Sequence, residues 1–268
     1  MNAGKYGTGK VGGRRMHWSE KIAKDIIKRS PDKEEYVCAA GISPSGSIHI
    51  GNFRDIATSY FVYNALIKQR KKARLLFSWD EFDRFRKVPV NVKEVAPELE
   101  NEIGKPYVDV KDPYGCCSSY AEHFEKEFEA SLSRFGVKVD FRRQSENYRS
   151  GKYAKYIIQA VQKRREIFDI LDKFRQQVAT PEEREAYYPV SIYCPVCGKD
   201  ETTITSSSED GVTCEYTCKC GHKGTWDFSK DFNCKLAWKI DWPMRWMIEG
   251  VDFEPGGKDH ASPGGSYD

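Results

Sequence analysis

A stretch rich in glycine and serine, GISPSGSIHIGN, occupies residues 41–52 and combines a bare backbone with hydrogen-bonding side chains. Its three glycines would let a phosphate or a small substrate approach the main chain without meeting a Cβ. His49 and Asn52 are three residues apart, so they would lie on one face of a following helix. Because an imidazole and an amide can both bind phosphate or ribose oxygens, we expect this loop to bind a nucleotide.

The elements around this loop predict a strand, a glycine loop, a helix and a second strand, in that order. Residues 36–40 form a short apolar run typical of a buried parallel strand, and residues 50–72 carry apolar side chains at helical spacing. Residues 73–79 predict the next strand. This order is a βαβ unit, whose ligands bind where a strand ends and a helix begins, because backbone N–H groups point into that gap.

The remaining elements continue this alternation of helices and strands. They are helices over 18–29, 120–135 and 153–175 and a third strand over 137–141. Residues 236–245, LAWKIDWPMR, indicate an extended segment in which Trp238, Ile240 and Trp242 share one face. Asp241 would then point away from Trp238.

The composition does not indicate a membrane protein, and the small net charge gives no electrostatic indication of nucleic-acid binding. Of 268 residues, 39% are hydrophobic, and 43 basic against 40 acidic side chains leave a net charge of +3. No apolar run approaches the roughly 20 residues that span a bilayer. We expect a soluble, cytoplasmic monomer without a membrane segment. Residues 1–16 are basic and rich in glycine and predict a disordered tail.

Two cysteine pairs with metal-ligand spacing follow a change of composition after residue 180. Cys194 and Cys197 form one pair, and Cys218 and Cys220 form a shorter one about twenty residues later. Four thiolates would bind a structural zinc ion, with His222 and then Cys214 as alternatives to Cys220. The other cysteines are expected to be ordinary small residues: Cys38, Cys116, Cys117 and Cys234.

Four separated motifs, in order, resemble those of the class I lysyl-tRNA synthetases. They are GISPSGSIHIGNFR, WDEFDRFRKVP, DWPMRW and GVDFEPGGKDH, and the similarity runs from residue 17 to the last residue. The run from His49 to Asn52 resembles the HIGH motif of the class I synthetases, with asparagine in place of its final histidine. Ser43 stands where members commonly have threonine, a change that keeps the hydroxyl.

The resemblance implies an α/β, Rossmann-like parallel-sheet nucleotide-binding fold with an inserted zinc-ribbon module. Residues 17–180 would be the first half of the catalytic domain, 181–230 the zinc-binding module, and 231–268 the start of the second half. The family's KMSKS loop and anticodon-binding domain have no counterpart in this sequence. We therefore expect a truncated catalytic portion that by itself activates lysine feebly or not at all.

The family activates lysine with ATP and Mg²⁺ and transfers it to the acceptor end of tRNA(Lys). Carried across, His49 and Asn52 would be catalytic and would steady the phosphates. The implied ATP-binding residues are Pro44, Ser45, Gly46, His49, Gly51, Asn52 and Asp259. The implied amino-acid pocket is Gly41, Ser43, Trp238 and His260. Asp241 and Asp259 are candidate partners for the lysine ammonium, with Asp241 ranked lower because of the expected strand geometry.

Other interpretations remain open at this stage. The chain could be a class I synthetase for glutamate or arginine, a nucleotidyltransferase with a HIGH-type loop, or a zinc-dependent RNA-binding module without catalysis. Asp80, Glu81 and Asp83 follow the second strand, where they could order a loop by ion pairing or shape the substrate site.

Overall fold

The computed structural model describes residues 16–175 and 179–262. Its helices are α1 (Trp18–Arg29), α2 (Ile50–Lys68), α3 (Val90–Lys93), α4 (Tyr120–Arg134), α5 (Gln144–Arg149), α6 (Ala154–Gln162), α7 (Arg164–Asp172), α8 (Pro181–Ala186) and α9 (Trp238–Glu249). Its strands are β1 (Glu35–Ile42), β2 (Lys72–Trp79), β3 (Asp140–Arg143), β4 (Val190–Ile192), β5 (Thr202–Ser207), β6 (Thr213–Cys218), β7 (Lys223–Asp227) and β8 (Cys234–Leu236). The predicted tail, apart from Met16, lies outside the described residues.

A parallel sheet in the order β1-β2-β3 organises the first part of the chain. Gly41 of β1 pairs with Ser78 of β2, so the two strands end at the same edge of the sheet. On the other side of β1, Phe253 forms a parallel bridge with Cys38. The predicted α/β fold with a parallel sheet is confirmed, and the bridge brings the end of the described chain beside β1.

Helices α1 and α2 cover this sheet with their apolar stripes. α1 begins with a capping box between His17 and Glu20 and has the predicted bounds, 18–29. Buried side chains of both helices join those of β1 and β2 in one core cluster, and each such large apolar side chain contributes about 1.5–3 kcal/mol. Its members include Ile26, Ile56, Val62, Leu66, Phe77 and Trp79.

The largest differences between predicted and observed elements concern α2, β3 and the helix predicted over 153–175. α2 ends at Lys68 because Arg70 adopts a left-handed φ of 60° and Lys71 N–H bonds back to the carbonyl of Leu66. The third strand begins at Asp140 rather than at 137. The helix predicted over 153–175 is interrupted at Lys163, which separates α6 from α7.

The prediction of an extended backbone over residues 236–245 is wrong. Only Leu236 lies in a strand, and α9 begins at Trp238 and ends before Gly250, whose φ of 65° is the usual left-handed stop. Aromatic and β-branched residues suggested a strand. The helical spacing of Trp238, Trp242 and Trp246 was the signal for a helix.

A second apolar core joins the cysteine-rich region to the helices before and after it. β4 pairs with β8, and β5, β6 and β7 form an antiparallel sheet. Tyr216, Trp226 and Phe228 share a buried cluster with Ile157 of α6 and Met244 of α9. The described helices include none with the length and apolar character that a membrane span requires.

Candidate functional site

A cavity of about 490 Å³ opens at the edge where β1 and β2 end. β1 runs directly into the glycine-rich loop, and β2 is followed by Asp80 and Asp83. The cavity is lined by Gly41, Ile42, Ser43, Asp55, Asp80, Asp83, Arg86, Trp238, Trp242, Glu254, Pro255, Gly256, Gly257 and His260. It lies where ligands of parallel α/β sheets bind.

The structure brings the four predicted amino-acid-binding residues together in this cavity. Gly41 lines it from the end of β1, Ser43 from the loop, Trp238 from α9 and His260 from the turn Lys258–Ala261. A Cβ on Gly41 would lie 2.9 Å from the Ser78 carbonyl oxygen, so glycine permits the close approach of the two strands.

Trp238, Trp242 and His260 form an aromatic wall on one side of the cavity. The ring centroids of Trp238 and Trp242 are 6.0 Å apart, and His260 lies 5.0 Å from Trp242 and 5.9 Å from Trp238. On α9 the two tryptophans are four residues apart and therefore share a face. Ile240, predicted to share that face, instead packs against the second apolar core.

His49 and Asn52 lie at the start of α2 and are not among the described side chains that line this cavity. His49 is the N-cap residue, and its Nδ1 accepts a hydrogen bond from Gly51 N–H at 3.0 Å. A Cβ on Gly51 would lie 2.7 Å from the imidazole, so glycine leaves room for the capping ring. The His49 side chain is exposed and lines a different cavity of about 190 Å³, which shares no lining residue with the first.

The rest of the loop is held by α4. The hydroxyl of Tyr120 donates to the carbonyl of Ser45 at 2.9 Å, and Ser47 donates to Glu127 at 3.3 Å. Pro44 is buried, whereas Ser45 is exposed. Asp259 was predicted to bind ATP, and its side chain is not among those that the structure describes.

Behind the cavity, charged side chains alternate in a buried chain of ion pairs, Asp80–Arg245–Asp241–Lys235–Asp83, hereafter the ion-pair chain. Arg245 contacts Asp80 at 2.6 Å and Asp241 at 2.9 Å, and Lys235 contacts Asp241 at 2.8 Å and Asp83 at 3.2 Å. Asp80 and Asp83 were predicted either to form ion pairs or to shape the substrate site. In the structure they form ion pairs and also line the cavity. Sequence analysis did not single out Lys235 or Arg245.

Burial and mutual attraction set the ionisation of this chain. Burial would raise the pKa of Asp241, but Arg245 and Lys235 outweigh it and hold that pKa below its ordinary value. For Asp80, burial outweighs the attraction of Arg245 and raises the pKa. Glu81 is not part of this ion-pair chain as described. Its carboxyl group accepts hydrogen bonds from the backbone N–H groups of Gln144 and Ser145 at 3.0 and 2.8 Å.

Comparison with known proteins decides the family. The family model described as tRNA synthetases class I (K) matches residues 16–268. The chain belongs to this family of class I synthetases. It is 47% identical over 253 residues to the lysine–tRNA ligase of Thermococcus kodakarensis. The matched region covers 94% of this chain and 47% of that protein.

Relatives in bacteria give the same result. The chain is 42% identical over 254 residues to the lysine–tRNA ligase of Treponema pallidum (94% of this chain, 47% of that protein). It is 37% identical over 283 residues to that of Streptomyces coelicolor (93% and 49%). This class I synthetase chain therefore spans about half the length of the curated relatives it matches.

The four cysteines predicted as metal ligands converge in this synthetase chain. The Sγ atoms of Cys194, Cys197, Cys218 and Cys220 all lie within 4.8 Å of one another. Cys194 and Cys220 are 3.8 Å apart, and Cys197 and Cys218 are 3.7 Å apart. Tetrahedral zinc, with Zn–S near 2.3 Å, places its sulfurs about 3.8 Å apart, so this cluster could hold a metal ion.

A second cluster, which sequence analysis missed, precedes α4. Ligand atoms of Asp112, Cys116, Cys117 and His123 lie within 4.8 Å of one another. The His123 Nδ1 atom is 3.2 Å from Cys116 Sγ and 3.4 Å from an Asp112 oxygen. Asp112 also accepts the backbone N–H groups of both cysteines at 2.7 Å. The adjacent cysteines with an acid before and a histidine after them were the available signal, and the cluster could hold a metal ion.

Proposed function

We propose that this chain is the part of a lysine–tRNA ligase that binds lysine and ATP for the formation of lysyl-adenylate, from which the whole ligase transfers lysine to the acceptor end of tRNA(Lys). By itself the chain is expected to activate lysine feebly or not at all. The observation that carries the proposal is the cavity at the sheet edge, in which Gly41, Ser43, Trp238 and His260 meet. These residues come from the end of β1, the loop that follows it, α9 and the turn Lys258–Ala261. The names of the curated relatives support lysine over glutamate or arginine.

The glycine-rich loop would hold the phosphates of ATP, which Mg²⁺ accompanies. Because His49 Nδ1 accepts the Gly51 N–H, the neutral ring carries its proton on Nε2, where it can donate to a phosphate oxygen. Asn52, three residues on, supplies an amide from the same helical turn. The proposed ATP-binding set is Pro44, Ser45, Gly46, His49, Gly51, Asn52 and Asp259.

In the reaction, an oxygen of the lysine carboxylate forms a bond to the α-phosphorus of ATP. The bond from that phosphorus to the β-phosphate oxygen breaks, and pyrophosphate leaves with the electron pair. The chain supplies position and hydrogen-bond donors and forms no covalent intermediate of its own. Trp238 would lie along the lysine methylenes and hold the substrate beside the loop.

Binding of amino acids in the presence of ATP tests this function. Isothermal titration of the chain with lysine, glutamate and arginine, each with ATP and Mg²⁺, is expected to give saturable binding for lysine. Binding of glutamate or arginine in preference to lysine would assign the chain to another amino acid. RNA binding that falls steeply with salt, without any binding of ATP or lysine, would favour the RNA-binding module.

We also propose that Cys194, Cys197, Cys218 and Cys220 bind a structural zinc ion that holds β5–β7 in place as a zinc ribbon. The cluster Asp112, Cys116, Cys117 and His123 is a second structural metal site. The expected metal content is about one zinc ion per cluster.

Substitution of single ligands separates the two metal sites. Cys218→Ser should remove one metal and Cys117→Ser the other, as measured by elemental analysis of the purified chain. Cys214→Ser and His222→Ala are matched controls that should leave the metal content unchanged. Loss of a metal in the His222 variant would show that His222, rather than Cys220, is the fourth ligand.

A further inference from the structure

The cavity at the sheet edge is surrounded by more carboxylates than cations. Among the side chains that the structure describes, the carboxylates that line it or join the ion-pair chain are Asp55, Asp80, Asp83, Asp241 and Glu254, and the cations are Arg86, Lys235 and Arg245. Such an excess attracts a positively charged ligand and repels an anionic one. The charge pattern therefore favours a substrate with a cationic side chain.

Within the ion-pair chain, Asp241 is shared by both cations. It is fully buried, and Lys235 and Arg245 approach the same oxygen, Oδ2, at 2.8 and 2.9 Å. The ion-pair chain has three carboxylates and two cations, so it carries one negative charge in excess. Asp83, at one end, is the least buried of the three carboxylates.

Two members of the ion-pair chain line the cavity, Asp80 and Asp83, and Asp83 is the more exposed of the two. Its side chain is 28% exposed, whereas the side chain of Asp80 is 8% exposed and that of Asp241 is fully buried. Ser43, which lines the cavity beside it, donates to Asp83 Oδ2 at 3.2 Å, while Lys235 holds the other oxygen. The carboxylate is thus held at both oxygens, in the wall of the cavity beside Ser43.

We propose that Asp83 binds the positively charged side chain of the substrate amino acid and that Lys235 is a positioning residue for its carboxylate. This inference rests on the proposed function, because it assigns the part of the lysine site that recognises the ammonium group. Asp83 makes the pocket selective for a positively charged side chain, and Trp238 and Trp242 pack against the methylene groups of that side chain.

Comparison of lysine with norleucine isolates the contribution of charge, since norleucine has the same four-carbon side chain without the ammonium group. Binding of each to the chain with ATP is measured by isothermal titration. In Asp83→Asn the affinity for lysine should fall roughly 30-fold or more, the usual result of removing one partner of a desolvated charge pair. The affinity for norleucine should stay unchanged.

Matched variants make this test specific. Asp200→Asn removes another ion-paired carboxylate, bound to Arg84 at 2.6 Å and not among the described residues that line the cavity, and should change neither affinity. Asp83→Glu should restore most of the preference for lysine. Circular dichroism reports folding, and Asp83→Ser is the second neutral variant if the amide does not fold.

The positioning role of Lys235 has its own measurement. If Lys235 acts through Asp83, then the effect of Lys235→Gln on the ratio of lysine to norleucine affinity disappears in the Asp83→Asn background. An effect that persists in that background would overturn the positioning role.

Two outcomes separate this inference from the function it rests on. If wild type binds lysine and Asp83→Asn keeps the same preference for lysine over norleucine, the assignment of Asp83 is wrong while the function stands. The same conclusion follows if Asp55→Asn, instead of Asp83→Asn, abolishes that preference. If wild type binds no lysine, both are wrong.

Discussion

Asp241→Asn is the substitution that most directly tests the buried ion-pair chain. The aspartate exposes none of its surface and has three partners: Tyr148 donates to Oδ1 at 2.5 Å, and Lys235 and Arg245 contact Oδ2. Asparagine has nearly the same shape, so the change removes charge without leaving a cavity. The two buried cations, Lys235 and Arg245, would then pair only with Asp83 and Asp80.

Removing one partner of a buried ion pair destabilises a protein by about 3–5 kcal/mol, because the remaining charge stays uncompensated. Asp80 and Asp83 remain beside the two cations in the variant. We therefore expect the lower part of that range, about 3 kcal/mol of lost unfolding free energy.

The effect has a defined dependence on pH. Burial would raise the pKa of Asp241, but Arg245 and Lys235 depress it below its ordinary value. A depressed carboxyl pKa stabilises the fold above the unfolded pKa, and this stability is lost as the pH falls through the folded pKa. The difference between wild type and Asp241→Asn should be widest near neutral pH and should narrow as the pH falls below about 4.

Urea denaturation followed by tryptophan fluorescence measures the free energy of unfolding of both proteins across this pH range. Asp169→Asn is the control, because Asp169 pairs with Arg184 at 2.5 and 2.6 Å but is 49% exposed, and exposed ion pairs contribute little. A loss in Asp241→Asn no larger than in this control would refute the assigned role of the ion-pair chain.

Two further changes test the loop and a neighbouring acid. Gly51→Ala would place a Cβ 2.7 Å from the His49 ring and displace the ring. The dissociation constant for ATP should then rise roughly tenfold, which corresponds to the loss of one hydrogen bond. Unchanged ATP affinity in a titration would contradict this prediction. Burial raises the pKa of Glu81 to about 7, so unfolding free energy should fall as the pH rises from about 4.3 toward 7. This slope should be absent in Glu81→Gln, and an unchanged slope in urea titrations would exclude Glu81 as its source.

Local patterns were sufficient for much of the fold. The apolar run before the glycine loop and the helical spacing after it predicted β1, α2 and β2, because a buried parallel strand and an amphipathic helix each leave a periodic signal. The bounds of α1 were predicted from the helical spacing of Ile22, Ile26 and Ile27 and from the Ser30-Pro31-Asp32 stretch that follows the helix. The spacing of Cys194, Cys197, Cys218 and Cys220 predicted the residues that converge. The nucleotide role of His49 and Asn52 stays a prediction.

Other features depended on residues distant in sequence. α9 contains a strand-like run, yet Asp241 forms ion pairs with Arg245 four residues later and with Lys235 of β8, and these contacts fit a helix. No local pattern marks Asp83 as a partner of Lys235, because 152 residues separate them.

Signals within one element or one short motif were enough to predict the sheet edge, the glycine-rich loop and the cysteine pairs. Contacts between residues distant in sequence set which charges meet behind the cavity, which face α9 presents and that Asp112 and His123 join two adjacent cysteines. These contacts follow from burial, because charged side chains that leave water are stable chiefly as ion pairs. A carboxylate removed from water must find a cation, and the fold, rather than the local sequence, decides which cation is within reach.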